Sequence, residues 1–517
     1  MKYKQLITLS LIEFIIIWCW FPKTIADATA TPVEIHTGGE LTENTIWSGN
    51  IIVEETVSVP AGIVLTIEPG TVVSMKDSVE IIVYGQLLSE GTEAQPIRFT
   101  HYDDNLWKQI KFIEAQDSRL VHCVIEYADS EGAHQDYYEA GPRNYHEAVV
   151  ALACHVDIEN CTFENLPDES SNAEGDAIAI ISDDPEYPGE ATAHIINCQF
   201  VSIGQGIHTR YSYVLVENFL FTDKRGDNDD VDLWGESSPP PLIRNNTFLN
   251  PKHDDMINPT RCSAVITGNL IMGSDDHGIV LRDKSFPVVM NNLIVDCASA
   301  GIAVENSCEA LIVNNTIVGC ERGVRLFDLG RWGPPYRLNP GGGTATIRNC
   351  IIWDCPRPIT LNDSSNTTID DRGSHATVEY CNIEGGLNAV SISGNHSTVS
   401  WEQGNIEIDP YFVDPDNKDF HLKSQAGRWN TAIQGWVKDE DTSPCIDTGD
   451  PMSPIELESF PNGGRINMGT YGGTVEAGKS YFGKPVCETI VAGDINGDCK
   501  VDFIDYAIMS LHWLKEQ

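Results

Sequence analysis

Apolar residues in this chain come in short runs of three to six, separated by Gly, Asn and Asp. Ala264-Val-Ile-Thr, Gly278-Ile-Val-Leu and Val288-Val-Met show the pattern. None is long enough for a helix, whose first turn is costly to nucleate. The runs also recur. Asn246-Thr-Phe-Leu, Asn269-Leu-Ile-Met, Asn292-Leu-Ile-Val and Asn315-Thr-Ile-Val begin 23 residues apart. The same short signature opens Asn160-Cys-Thr-Phe, Asn197-Cys-Gln-Phe, Asn218-Phe-Leu-Phe and Asn349-Cys-Ile-Ile. The 34-residue interval before Asn349 leaves room for a loop over Leu326–Gly343, which carries a Gly and Pro cluster. A period in the low twenties built of β-branched runs predicts a solenoid of β-coils. Stacking the coils pairs each strand in parallel at about 4.8 Å. A column of Asn at one corner can then bond along the stack and satisfy turn amides.

The opening residues extend the pattern. Gly62-Ile-Val-Leu-Thr-Ile-Glu-Pro-Gly-Thr-Val-Val, Gly85-Gln-Leu, Pro96-Ile-Arg-Phe-Thr, Trp107-Lys-Gln-Ile-Lys-Phe and Val124-Ile-Glu-Tyr follow one another as short strands. From about Thr31 to Asp409 the chain resembles the right-handed parallel β-helix proteins, the pectate-lyase-like superfamily. The resemblance implies an all-β right-handed parallel β-helix over 31–409. It leaves activity open, because this fold hosts lyases, hydrolases, adhesins and phage spikes alike. Over 410–483 turn residues dominate. Asp409-Pro-Tyr-Phe-Val-Asp-Pro, Ser443-Pro-Cys-Ile-Asp and Asn467-Met-Gly-Thr-Tyr-Gly-Gly resemble the closing segment of secreted β-helices. This segment is expected to cap the open end, which would otherwise expose a strand edge.

The last stretch, 484–517, carries the sharpest local motif. Asp494, Asn496, Asp498, Asp502 and Asp505 offer oxygens at loop positions 1, 3, 5, 9 and 12, and the Lys500 carbonyl stands at position 7. That spacing matches an EF-hand-type calcium shell, and the apolar residues that follow have helical spacing. Together they resemble one repeat of a type I dockerin, a small C-terminal calcium-loop/helix module. The resemblance implies bound Ca2+ and a cohesin-like or cell-surface partner. Two features depart from it: Cys499 stands where Gly is usual, and one repeat is present where dockerins have two. A Cys487–Cys499 bridge would staple the half module.

Composition narrows the partners. Lys and Arg number 33 against 76 Asp and Glu, a formal charge of −43. Phosphate recognition needs a basic footprint, so nucleic acid is excluded. The 41% hydrophobic content excludes a disordered acidic tail. Residues 1–30 read as a signal peptide: Lys2 and Lys4, an apolar run from Leu6 to Phe21, then Ala26-Asp27-Ala28 or Ala28-Thr29-Ala30 for cleavage. The run is shorter than the ~20 residues that span a bilayer. A secreted or cell-surface protein is expected, with no membrane span after cleavage. Fifteen Cys are present, many at repeated positions inside β runs, where stacking is commoner than bridging, so few disulfides are expected.

The candidate chemistry lies in three successive coils: Asp229-Asp230-Val-Asp232, Asp254-Asp255-Met-Ile-Asn258 and Asp275-Asp276-His277. Seven Asp packed within roughly 10 Å oppose folding unless a cation sits among them or some are protonated. A calcium site is the expected resolution. Asp229-Asp230-Val-Asp232-Leu-Trp also resembles the Asp-Asp-Gly-x-Asp-Leu-Trp run of family 9 pectate lyases, one residue shorter and without the Gly. That likeness implies Asp229, Asp230 and Asp232 as calcium ligands. Calcium beside a uronate acidifies C5–H for β-elimination, with Lys252 or His277 as the base. Arg282, about 20 Å along its own strand from Asp276, ranks below them. Hydrolysis by two carboxylates of adjacent coils remains open, as does a purely structural role for the aspartates. In two long insertions Arg143 and Tyr145, and Trp332, Tyr336 and Arg337, suit stacking on sugars and pairing with carboxylates. The expected partner is an acidic polysaccharide, bound or degraded. The alternatives are a non-catalytic adhesin or matrix protein and a glycoside hydrolase.

Overall fold

The computed structural model describes residues 34–129, 145, 147–166, 176–222, 229–249, 255–328, 341–362, 373–481, 493, 495 and 501–513. The expected leader lies outside them. Each coil contributes three short strands: Leu293–Val295, Ala300–Glu305 and Glu309–Val313 in one, Thr316–Val318, Arg322–Phe327 and Thr344–Arg348 in the next. The first two of each coil join a sheet that holds 26 strands among the described residues, and the third joins one of 14. Strands of successive coils pair in parallel, which is what a β-solenoid requires. No helix among the described residues is long and apolar enough to cross a membrane.

Parallel stacking in register lets like sit on like inside the coil. Val231, Ile257, Ile279, Ile302, Val324 and Ile359 form one inward column, each fully buried. Phe163, Phe200, Phe221 and Phe248 form another, with ring centroids 5.1, 4.7 and 4.8 Å apart. That separation is the strand spacing itself, so each ring stacks flat on the next without side-chain strain. Each buried Ile or Phe stabilises the fold by about 1.5–3 kcal/mol.

The recurring asparagines occupy two neighbouring columns rather than one. Asn246, Asn269, Asn292 and Asn315 are buried, and each accepts the backbone N–H of the preceding rung at 2.9–3.0 Å. The side-chain amides of Asn246, Asn269 and Asn292 donate to the next carboxamide and to a backbone carbonyl, and that of Asn315 donates to two backbone carbonyls. At the equivalent rungs Cys350 and Cys381 take the same role: Cys350 Sγ accepts from Asn315 N, and Cys381 Sγ from Cys350 N, both at 3.4 Å. Asn160, Asn197, Asn218 and Asn349 stand one position earlier in register, at turns with φ between 54° and 58°. There Asn is favoured because it tolerates the left-handed region. The shared signature therefore arises from two causes, a ladder and a turn. The 12 described cysteines are all buried and free, while Cys487 and Cys499 lie outside the described residues.

The segment after 409 takes a different place from the expected end cap. Phe412, Phe420, Leu422, Cys445, Ile446 and Met468 pack on Leu293, Val295, Val318 and Ile351 of the solenoid's flank. Its backbone is stitched there by Asn291 Nδ2 to Thr470 O at 2.9 Å, Asn314 Nδ2 to Asn467 O at 2.9 Å and Gly469 N to Asn349 O at 2.7 Å. The cause is legible in the strands beneath. Leu293–Val295 is apolar on both faces, so its outer face must be covered.

Candidate active site

Registering the strands on the inward Ile257–Ile279–Ile302–Val324 column fixes what stands beside what on the outer face. Two positions before the column come Asp229, Asp255 and His277; three after it come Thr260, Arg282, Glu305 and Phe327. The carboxylate pairs are therefore out of step with one another: Asp229, not Asp230, sits over Asp255, and Asp230 is level with Met256.

Asp255 is the hub. Its side chain is 0% exposed, and both oxygens meet donors. Oδ1 accepts from His277 Nδ1 at 2.8 Å and from the His277 backbone N–H at 3.2 Å. Oδ2 accepts from Arg282 Nη2 at 3.1 Å. Asp276 Oδ1 lies 3.1 Å from the same His277 Nδ1. Arg282 Nε donates to Glu305, which is also 0% exposed. Glu305 Oε2 is buried with no hydrogen-bond partner among the described residues. His277 Nε2 faces Ser299 Oγ at 3.3 Å, and its ring lies near-parallel to Phe327 at 6.5 Å.

The charges follow from this geometry. Burial disfavours the imidazolium of His277, but the carboxylates of Asp255 and Asp276 outweigh it and raise the pKa to about 9. The His277 contact holds Asp276 below the usual carboxylate range. Burial raises Glu305 against the pull of Arg282. Burial also works against the Arg282 charge, yet Glu305, Asp255 and Asp229 raise its pKa further and keep the guanidinium protonated. Next along the face, Arg325 lies over the Phe327 ring at 3.8 Å. Burial and then Arg322 lower its pKa, and neither arginine forms an ion pair among the described residues.

The aspartates of the expected calcium cluster are met instead by side chains of the protein itself. Asp232 Oδ2 meets His208 Nδ1 at 3.0 Å, Asp229 Oδ2 accepts from Asn258 Nδ2 at 2.6 Å, and Asp255 holds His277 and Arg282. Asp255, Asp276 and His277 do bring ligand atoms within 4.8 Å of one another. A divalent ion there would face the Arg282 guanidinium at hydrogen-bond distance from Asp255, an electrostatic conflict. Asp275 is exposed and Asp230 buried; Lys252 and Asp254 lie outside the described residues.

Tyr145 corrects the expectation of a sugar platform. The residue is 3% exposed, and its hydroxyl donates to Asp184 Oδ2 at 2.6 Å, so it presents no face to a ligand. Arg143, Trp332, Tyr336 and Arg337 lie outside the described residues, as do Asp494, Asn496, Asp498 and Lys500 of the C-terminal loop. What is described there is helical over Phe503–Trp513. The Asp505 carboxylate accepts Ile495 N at 2.6 Å and Asp502 N at 2.7 Å, and Asp502 Oδ1 accepts Ile504 N at 2.8 Å. These bonds tie Ile495 and Asp502 to the first turn of that helix.

Sequence reasoning missed Glu305, His208 and Arg325, and set Arg282 aside by measuring along one strand. Contact here runs across rungs. Counting three residues past each inward Ile or Val would have placed Arg282 beside Glu305.

Residues 186–331 match the family model described as right handed beta helix region. This chain is a right-handed parallel β-helix. Residues 292–449 match a second model, described as disaggregatase related. No curated protein matches the chain. Similar solved structures include a double mutant of the periplasmic alginate epimerase AlgG, at 11% identity and a TM-score of 0.34, covering 67% of this chain and 77% of that one. A GH136 lacto-N-biosidase from Eubacterium ramulus is similar at 12% identity and a TM-score of 0.34, covering 66% and 63%. A PL6 alginate lyase in complex with a trisaccharide is similar at 11% identity and a TM-score of 0.32, covering 85% and 90%. Likenesses this distant say nothing of what this β-helix binds.

Proposed function

We propose that this β-helix binds an acidic polysaccharide on the outer face around His277 and Arg282 and cleaves it by β-elimination, as a polysaccharide lyase acting outside the cell. One observation carries the reading: a fully buried Asp255 holds the buried imidazole of His277 and the partly exposed guanidinium of Arg282 side by side in a strongly acidic chain. An anionic polymer has little reason to approach a chain of charge −43 except where cations are fixed. Arg282, with Arg322 and Arg325 two rungs on, both on the strand Arg322–Phe327, supplies them.

The chemistry assigned to each group follows from its contacts. The Arg282 guanidinium, 29% exposed, pairs with the uronate carboxylate and so acidifies the neighbouring C5–H. Asp255 accepts the Nδ1 proton of His277 and thereby leaves the lone pair of the neutral ring on Nε2, the atom that takes the C5 proton. The C5–H electrons form the C4=C5 double bond as the C4–O4 glycosidic bond breaks, and water protonates the leaving oxygen. Asp255 and Glu305 do not touch substrate; they position His277 and Arg282. Calcium in this reading belongs to the C-terminal loop, where Asp502 and Asp505 would join Asp494, Asn496, Asp498 and the Lys500 carbonyl. Bound there, it would order the loop against the helix for attachment to a cohesin-like or cell-surface partner.

Incubation of the whole chain with pectate, alginate and other polyuronates tests the proposal. The expected result is rising ultraviolet absorbance from the unsaturated uronate, lost in His277→Asn and Arg282→Ala. New reducing ends without that absorbance would overturn elimination in favour of hydrolysis. Binding without either product would make the protein an adhesin.

A further inference from the structure

The smaller sheet carries a second constellation on its outer face. Asp157 pairs in register with His194 of the next strand, and His155 pairs with Thr192. Because alternate residues share a face, His155 and Asp157 both point outward, and stacking places His194 directly beside Asp157. One oxygen, Asp157 Oδ1, lies 3.1 Å from His155 Nε2 and 3.1 Å from His194 Nδ1. The three ligand atoms fall within 4.8 Å of one another.

We infer that His155, Asp157 and His194 form a binding site for a divalent first-row transition metal, Zn2+ being the ion the donor set fits best. Two imidazoles and a carboxylate are borderline ligands that suit zinc over calcium. Donors in a tetrahedral zinc shell stand about 3.3 Å apart, close to the two separations seen. A further contact points the same way. His155 Nδ1 lies 2.7 Å from Thr192 Oγ1. With the Nδ1 proton donated to that hydroxyl, the lone pair rests on Nε2, aimed at the shared centre, as outer-shell partners of metal-bound imidazoles do. The side chains are 27%, 25% and 42% exposed, so water can supply the fourth ligand. Arg119 Nε stands 3.8 Å from the other oxygen, Asp157 Oδ2, and so leaves Oδ1 to the two histidines. Arg119 is itself matched by Glu90 and Glu159 at 2.7 and 3.2 Å.

The site is independent of the proposed lyase centre, and the test keeps them apart. Zinc is titrated calorimetrically into the full chain in excess Ca2+, which occupies oxygen-only sites. The wild type is expected to bind one more Zn2+ than His194→Ala and Asp157→Asn, while His277→Asn retains the wild-type count. Thr192→Val, which keeps every ligand, is expected to bind about tenfold more weakly. Co2+ in place of Zn2+ should give the intense visible bands of a tetrahedral site, lost in His155→Ala. Circular dichroism checks that each variant is folded, which is expected of substitutions on an exposed face. An unchanged count and affinity in folded His194→Ala, or no zinc bound by the wild type below millimolar concentration, overturns the assignment.

Discussion

Replacing Asp255 by Asn removes the charge that holds His277 and Arg282 while keeping the side chain's size. In the wild type the His277 pKa stands at about 9 against the ordinary histidine value of 6.5. That rise is worth about 3 kcal/mol of preference for the imidazolium in the folded chain. Its sign fixes the pH window. The stabilisation is fully present below about pH 6.5 and is lost as pH rises through 9, because over that range the unfolded chain has already released the proton that the folded chain still holds. In Asp255→Asn only Asp276 remains beside the ring; it is 45% exposed and 3.1 Å away. A screened pair of that kind contributes at most about 1 kcal/mol, and burial pulls the other way. The His277 midpoint is therefore expected to fall to roughly 7. Titration of the Cε1–H signals of 13C-labelled histidine reads this directly, with His277→Asn identifying the signal among 14 histidines. The same reasoning gives the rate profile. If neutral His277 is the base, turnover on polyuronate rises with pH up to about 9 in the wild type and levels off near 7 in the variant. A wild-type midpoint at or below 6.5, or a midpoint unmoved in Asp255→Asn, refutes the argument.

Other outcomes follow from the packing. Asn269→Ala strands the Asn246 N–H and the Ile243 carbonyl in the interior, a cost of about 2–5 kcal/mol seen as a lower thermal midpoint. Asn269→Cys should recover more than half of that, since Cys350 and Cys381 fill the same ladder position; equal losses would refute the equivalence. Tyr145→Phe removes one bond to Asp184 and should cost about 1–3 kcal/mol, with polyuronate affinity unchanged. A tenfold affinity loss would show that the ring meets sugar after all. Leu293→Glu places a charge under Phe412 and Phe420. It should free the segment 410–481 to limited proteolysis while the coils, followed by circular dichroism, persist. Simultaneous loss of both would mean that the segment is no separate layer.

Much of the fold can be read from local pattern because a solenoid's contacts repeat at a nearly fixed sequence interval. The 23-residue spacing of Asn246, Asn269, Asn292 and Asn315 is a record of rungs, and buried amides must be paired whatever lies further off. Even so, Asn160 and Asn349 show one residue type answering two demands, a positive φ and a ladder bond, which spacing alone merges. The flank-covering segment was readable only in hindsight, from strands such as Leu293–Val295 that are apolar on both faces.

Which residues are near one another on the outer face is a different kind of fact. It depends on register across rungs, and one unit of slip there exchanges neighbours, as it does for Asp229 and Asp230 over Asp255. The order of residues along the chain determined that coils form and that charged side chains collect on a few of them. Only the stacked structure decided that Asp255 faces His277 and Arg282, and that Asp157 faces two histidines. The strength of a charge pair depends on angstroms between side chains and on burial, and neither is encoded in separation along the backbone.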